Sequence, residues 1–165
     1  MDAIERLVII EDIKQLVSRR TRLIDGKFWD DLVEIYAEDI EAHHLGLRGN
    51  RAVVDAIARR LDGIRTIHQI HLPEIEVISA TLAKGVFPME DLLVWEEDGV
   101  HRWVHGYGHY FQTFTKVERG WVISDNRLTR QYIRQGTGEY EIGVAAEMHD
   151  PRFTSKVAPL PRDFA

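Results

Sequence analysis

The chain predicts an α+β fold in which N-terminal helices pack in a strongly curved antiparallel sheet. Three observations carry that expectation. Apolar residues recur at three- and four-residue spacing as far as about Leu61. From Ile64 onward the period changes to that of four consecutive β-segments. Those segments are too long to lie flat, because strands twist. Helices followed by a run of strands segregate into an α+β arrangement, with the helices on one face of the sheet.

Each element has its own signal. From Ile4 to Ile24, the residues Ile4, Leu7, Val8, Ile13, Leu16, Val17 and Ile24 form one face of an amphipathic helix. A second helix is expected from about Phe28 to Ala37, with Phe28, Leu32, Ile35 and Tyr36 on one side. Ile40 to Leu47 reads as a short strand closed by Gly46 and Gly49. Asn50 reads as the N-cap of a third helix carrying Val53, Val54, Ile57 and Leu61 and ending near Gly63. The β-segments follow at about Ile64–Ser79, Thr81–Glu97, Val100–Glu118 and Gly120–Ile133. Glu97-Asp98-Gly99 and Glu118-Arg119-Gly120 mark the hairpins between them. Gly85, Pro88, Gly106 and Gly108 are the expected bend or bulge points. A sheet curled this far and closed by a helix is a cone with a pocket inside. Residues 1–135 make this cone. Periodicity fades in the tail, 136–165, whose Phe153, Val157, Leu160 and Phe164 are expected to cap the pocket mouth or serve an oligomer interface.

Composition excludes several classes of function. The net charge is −6, and no basic cluster is interleaved with aromatics, so nucleic acid is not an expected partner. With no cysteine there is no disulfide and no thiolate chemistry, which suits a cytoplasmic location. Asp2 and Glu5 interrupt the N-terminal stretch, so no signal peptide is expected. No run approaches the ~20 apolar residues of a membrane span. No glycine-rich phosphate loop occurs, and no cofactor is expected.

The most informative segment is Leu23-Ile24-Asp25-Gly26-Lys27-Phe28-Trp29-Asp30-Asp31-Leu32, taken together with His68. A carboxylate at a helix C-terminus faces about −0.5 of an elementary charge, so something must offset its cost there. Asp-Gly is also ordinary turn chemistry. Histidine changes charge near neutral pH, and a buried carboxylate beside it fixes its tautomer and raises its basicity. Asp25 and His68 are therefore candidates for a general-base pair. His71 lies on the opposite strand face from His68, so only one of the two should point inward.

The helix–helix–strand–helix–strands order and four motifs carry a family resemblance. The motifs are Ile10-Glu11-Asp12-Ile13-Lys14-Gln15-Leu16, Ile24-Asp25-Gly26-Lys27-Phe28-Trp29-Asp30, His68-Gln69-Ile70-His71-Leu72-Pro73-Glu74-Ile75 and Gly120-Trp121-Val122-Ile123. Over about residues 5 to 133 the chain resembles the SnoaL-like branch of the nuclear-transport-factor-2-like superfamily. Within that branch it looks most like the bile acid 7α-dehydratase type. Scytalone dehydratase and hexachlorocyclohexane dehydrochlorinase are more distant relatives.

The resemblance implies that Asp25 pairs with a catalytic His68, that Asp91 is a further acidic position, and that Arg130 is the arginine late in the last strand. Scytalone dehydratases carry a second histidine on the third sheet strand, whose nearest match is His105. One departure concerns the position five residues before the aspartate. The bile acid dehydratases have a tyrosine there, the dehydrochlorinase has a lysine, and this chain has Arg20. A guanidinium can hold an anion but cannot donate a proton as a phenol does. On an ideal helix Arg20 and Asp25 lie some 140° apart, at ~100° per residue. Arg20 also belongs to the basic stretch Arg19-Arg20-Thr21-Arg22, which reads equally well as a solvated face.

The third β-segment places His101, His105 and His109 on one face with Trp103, Tyr107 and Phe111. A metal held by these histidines fails on distance. Four strand residues span about 13 Å at ~3.3 Å each, too far for one ion bound ~2 Å from each ligand. No metal site is expected. Phe28, Trp29, Phe87, Trp103 and Tyr107 are the candidate substrate-binding walls. The reading that follows is a cofactor-free lyase of dehydratase type, in which the Asp25–His68 dyad acts on a small hydrophobic ring-containing substrate. A non-catalytic binding or structural subunit, or an isomerase or cyclase using the same pocket, are the alternatives, because fold alone does not decide. The partners expected are a small molecule and further copies of the chain in a homo-oligomer such as a trimer, assembled as in the relatives through the outer face of the sheet. That face would bury some of Tyr110, Phe114 and Leu128.

Overall fold

The computed structural model describes residues 1–138 and Tyr140. Helix α1 (Ala3–Asp25) opens on a capping box, in which the Asp2 carboxylate accepts the Glu5 N–H and the Glu5 carboxylate accepts the Asp2 N–H. Its burial starts at Ile9. Ile4, Leu7 and Val8, expected on the core stripe, are exposed.

Helix α2 (Trp29–Ile35) is shorter than its pattern predicts, and strand β1 (Tyr36–Ala42) begins four residues earlier. Tertiary pairing decides this: Tyr36 takes extended backbone, pairs with Ile123 and buries its ring completely. Strand β2 (Leu47–Arg48) returns antiparallel to β1, and helix α3 (Asn50–Arg60) follows. The N-cap of α3 is Gly49 rather than Asn50, which is the first helical residue.

The segment expected as one strand from Ile64 to Ser79 is two, β3 (Arg65–Ile70) and β4 (Glu74–Ser79). Both pair with β5 (Leu82–Glu97), β3 along residues 89–94 and β4 along 82–86, so they are two pieces of one interrupted edge. The break falls at Leu72-Pro73, where proline has no N–H to give a ladder. Strands β6 (Val100–Val117) and β7 (Gly120–Thr137) complete the meander. Between β5 and β6, Asp98 and Gly99 both adopt positive φ, as a two-residue type I′ hairpin turn requires.

The order across the sheet is β2-β1-β7-β6-β5-β3, with β4 also on β5. The strands from β3 to β7 run antiparallel as expected. β1 runs parallel to β7, so the sheet is mixed. Register shifts at Tyr107/Gly108 and Thr113/Phe114 curl it, and α1 crosses its concave face against β3, β4 and β7. The result is three helices packed against a strongly curved sheet, an α+β cone. Its core includes Ile13, Leu32, Tyr36, Ile40, Phe87 and Phe114.

Strand β7 runs past residue 135, so the domain boundary expected there falls inside a strand. The tail residues given a capping or interface role, Phe153, Val157, Leu160 and Phe164, lie outside the described residues. Among the described residues no helix is long and apolar enough to cross a membrane.

Candidate active site

The site is built on the turn that ends α1. Phe28 N–H bonds the carbonyl of Leu23 and Lys27 N–H that of Ile24, at 2.9 and 3.1 Å, which is the paired pattern of a Schellman motif. Lys27, not Gly26, takes the left-handed conformation, at φ +61°. Gly26 stays right-handed, and any side chain on it would run into the Phe28 ring. This hook leaves Asp25 as the last helical residue, facing β3.

Three donors then compensate the carboxylate at the helix end. Asp25 Oδ1 accepts the Thr66 hydroxyl at 2.8 Å and lies 2.6 Å from His68 Nδ1, while Oδ2 accepts the His68 backbone N–H at 2.8 Å. A carboxylate is an acceptor, so Nδ1 carries a proton, and in the neutral ring Nε2 is then the nitrogen with the lone pair. The two side chains are 8% (His68) and 9% (Asp25) exposed. Lys27 Nζ donates to Thr66 Oγ1 at 3.2 Å. Partial burial pulls this ammonium below its ordinary value, and the Asp25 charge opposes the shift.

Across the ladder from His68 stands Asp91, its Cα partner on β5. Asp91 is buried and takes a bidentate pair from Arg130 at 2.7 and 2.6 Å. Burial alone would lower the Arg130 guanidinium, and its bonds and charge contact with Asp91 raise it instead. Gly106, partner of Asp91 on β6, makes room for this pair: a Cβ there would collide with Arg130 Nη1 and Asp91 Oδ1.

Arg20 is neither on a solvated face nor bonded to Asp25. It is 2% exposed, donates from Nε to the Tyr36 hydroxyl at 2.8 Å and lies 4.6 Å over the Tyr110 ring. Its Nη1 is buried without a hydrogen-bond partner. Desolvation works against its charge, and Tyr36 and Tyr110 more than offset that, so its value is raised. His44 responds to the same region: loss of solvent around its ring, with the positive charges of Arg20, Arg60 and Arg130, pushes it down to about 4.

The other expected site residues fall elsewhere. On β6 the buried side chains are Tyr110, Gln112 and Phe114, so the odd-numbered residues point to the outer face. His105 is therefore not opposite His68. It lies outside, 2.5 Å from Glu90 through Nε2 and bonded to the Tyr140 hydroxyl through Nδ1. Trp103 packs edge-on against Tyr140, and Tyr107 is among the exposed apolar residues, so neither lines the cone. His71 is also outside, 3.9 Å from Glu90.

Phe87 does face inward, but it is buried in the core and packed edge-on against Phe114. Phe28 and Trp29, beside the α1 turn, are partly buried against the core. Tyr110 and Phe114, expected at an interface, are buried on the inner face, and Leu128 pairs with Tyr110 there. Among the described residues one group has metal-ligand spacing, Glu41, His43 and Asp125. It is an exposed cluster in which His43 and Asp125 already pair at 2.6 Å. A cleft of about 940 Å³ is lined by Ala37, Glu41, Arg48, Ser124 and Asp125. Another, of about 630 Å³, is lined by Val17, Ile70, Leu72, Pro73 and Phe87. The dyad belongs to neither.

Sequence reasoning missed Thr66, Lys27, Tyr36 and Tyr110 as neighbours of the candidate residues. Thr66 was open to discovery, since it stands two residues before His68 and so shares its strand face. The rest follow from packing that no local pattern encodes.

A family model for the SnoaL-like domain matches residues 5–127. Among solved structures, the chain is 20% identical to a candidate scytalone dehydratase from Novosphingobium aromaticivorans DSM 12444, with a TM-score of 0.73 over 81% of this chain and 91% of that one. It is 19% identical to a type 2 hexachlorocyclohexane dehydrochlorinase, LinA, with a TM-score of 0.72 over 87% of this chain and 100% of the other. The type 3 LinA of Novosphingobium barchaimii LL02 gives 17% identity and a TM-score of 0.71, over 86% and 99%. At these identities the likeness shows the shared fold, and it includes proteins named for dehydratase and dehydrochlorinase reactions.

Proposed function

The chain belongs to the SnoaL-like domain family, and on that premise we propose that it is a cofactor-free lyase whose base is His68. The observation that carries this reading is the Asp25–His68 pair, closed at 2.6 Å and nearly buried, with Nε2 left without a partner among the described residues. Nε2 takes a proton from an acidified carbon. The electron pair of that C–H bond becomes a C=C bond, and a hydroxyl or halide on the adjacent carbon leaves with its bonding pair. Asp25 stays ionised and offsets the imidazolium charge that forms.

Charge distribution supports the roles proposed for the other residues. Asp91 neutralises Arg130 and holds it in one orientation, so that pair forms a polar wall beside His68. Among the described residues Arg20 has no carboxylate partner and its Nη1 is unpaired, which fits it to hold a departing anion or a substrate oxygen. Phe28 and Trp29, next to the dyad through the turn, are the aromatic contacts for a hydrophobic, ring-containing substrate.

A panel of cyclic compounds with a β-hydroxyl or β-halide next to an acidified C–H tests this, with products read by NMR and mass spectrometry. Loss of water or halide with the wild-type chain, absent in His68→Gln and Asp25→Asn, is the expected result. Equal turnover by His68→Gln would overturn it. A product that has moved a proton and lost no group would make the protein an isomerase.

For assembly, the exposure of Tyr107, Phe111 and Tyr132 on the outer side of β6 and β7 supports a contact surface there. A second copy docking there would bury them, and a clean monomer by sedimentation at micromolar concentration would remove that reading.

A further inference from the structure

We infer that Lys27 is a positioning residue of the dyad, acting through Thr66 to fix the direction of the hydrogen bond that Asp25 receives. An ammonium only donates, so Lys27 Nζ occupies a lone pair of Thr66 Oγ1. The single hydroxyl hydrogen of Thr66 is then directed to its other neighbour, Asp25 Oδ1, at 2.8 Å. That same oxygen holds His68 Nδ1. Lys27, Thr66, Asp25 and His68 therefore form one line of hydrogen bonds running from the helix-ending turn to the imidazole. Without the ammonium, the Thr66 hydroxyl still faces Asp25 but loses one of its two restraints, so the donor on the oxygen that orients His68 is held less firmly.

The backbone supplies a second, independent reason to look at this residue. Lys27 sits at φ +61°, the left-handed position of the Schellman turn that glycine fills most easily. Gly26 stands immediately before it and does not take that position. For the turn alone lysine is the poorer choice, and such outliers gather where a side chain has work to do. The ammonium also lies 5.6 Å over the Trp29 ring, which steers it back toward β3 and away from solvent. Its lowered value, caused first by burial, fits an ammonium held inside the site.

Any consequence for turnover rests on the lyase reading. The positioning itself does not, so the test reads the imidazole directly. The full chain is labelled with ¹⁵N, the His68 Nδ1–H resonance is assigned by its loss in His68→Gln, and its exchange with water is measured beside the thermal midpoint. Lys27→Gly relieves the backbone, so its midpoint should equal or exceed that of the wild type. Its Nδ1–H exchange should nevertheless rise by about tenfold, the worth of one hydrogen bond to a charged group. Lys27→Met and Thr66→Val should accelerate exchange similarly, and Lys27→Arg should stay within about twofold, because it keeps a cationic donor.

Wild-type exchange in both Lys27→Gly and Lys27→Met would overturn the proposal. So would exchange that rises only in step with a falling midpoint, the mark of a merely structural role. If exchange responds as expected while no compound of the panel turns over, the positioning role stands and the lyase reading falls. If exchange is unmoved while His68→Gln abolishes turnover, the opposite holds.

Discussion

Where β3, β5 and β6 lie side by side, a carboxylate–imidazole pair sits on each face of the sheet, and these two pairs are nearly the same length. On the inner face Asp25 meets His68 at 2.6 Å; on the outer face Glu90 meets His105 at 2.5 Å. They differ in what remains unpaired. His105 spends both ring nitrogens, Nε2 on Glu90 and Nδ1 on the Tyr140 hydroxyl, so it has no lone pair to offer. His68 spends only Nδ1. Asp25 is also the better buried acceptor, with both oxygens held by donors from β3, whereas Glu90 is 28% exposed. A short Asp/Glu–His contact is thus no sign of a base; a base needs the pair and a ring nitrogen left free to take a proton.

That contrast can be broken most directly by exchanging the faces. His68→Gln should lower turnover of the eliminated substrate by about a thousandfold, within the ~10²–10⁴ range of general-base removal, and His105→Gln should leave it within about threefold. Steady-state kinetics on both variants checks this, and a large loss in His105→Gln would erase the distinction between the faces. Arg20→Met comes next. It replaces a buried, partly unsatisfied cation by an apolar chain of similar length, so turnover should fall by about a hundredfold while folding stability changes little. Arg20→Lys should retain part of the activity. Full activity in Arg20→Met would return this residue to a packing role.

Gly106→Ala sharpens the comparison on the inner face without touching the dyad. The new methyl group must push Arg130 Nη1 off Asp91, so stability should drop by about 1–3 kcal/mol in urea titration, as for an overpacked core. The smallest effect expected is a pH dependence from His44. Its folded value is about 4 against the ordinary 6.5. Between these values the unfolded chain takes up a proton that the folded chain refuses, so stability falls as pH drops from about 6.5 to about 4. His44→Gln should flatten that slope in denaturation midpoints collected across the window.

Much of the architecture was legible because it rests on local chemistry. The change of period after Leu61 marks the helix-to-sheet transition, and Asp98-Gly99 does form its two-residue hairpin. The meeting of Asp25 with His68 was legible too, from a carboxylate at a helix end and from the family resemblance that selects His68 over His71. The face of β6 was not. His101, Trp103, His105, Tyr107, His109 and Phe111 read as a pocket lining because they are polar and aromatic, while the alternate residues include Gly106 and Gly108 and look empty. The structure reverses that reading. Gly106 is small because the Asp91–Arg130 pair occupies the space above it, and Gly108 because the Thr129 carbonyl does. A bare face in the sequence was the crowded face in the fold.

The sequence by itself determined the order of the elements, the hairpin turns, the end of α1 at Asp25 and the two-sidedness of each strand, all of which depend on neighbours within a few residues. Only the tertiary structure decided which side of the sheet α1 covers, and with it the burial of Arg20 against Tyr36 and Tyr110, the outward turn of His105 and the left-handed seat of Lys27 beside Thr66. The physical reason is that alternation along a strand separates two faces without saying which is buried. That choice belongs to helix docking and to contacts between residues distant in the chain, such as Arg20 with Tyr36 and Asp25 with His68, which are 16 and 43 positions apart.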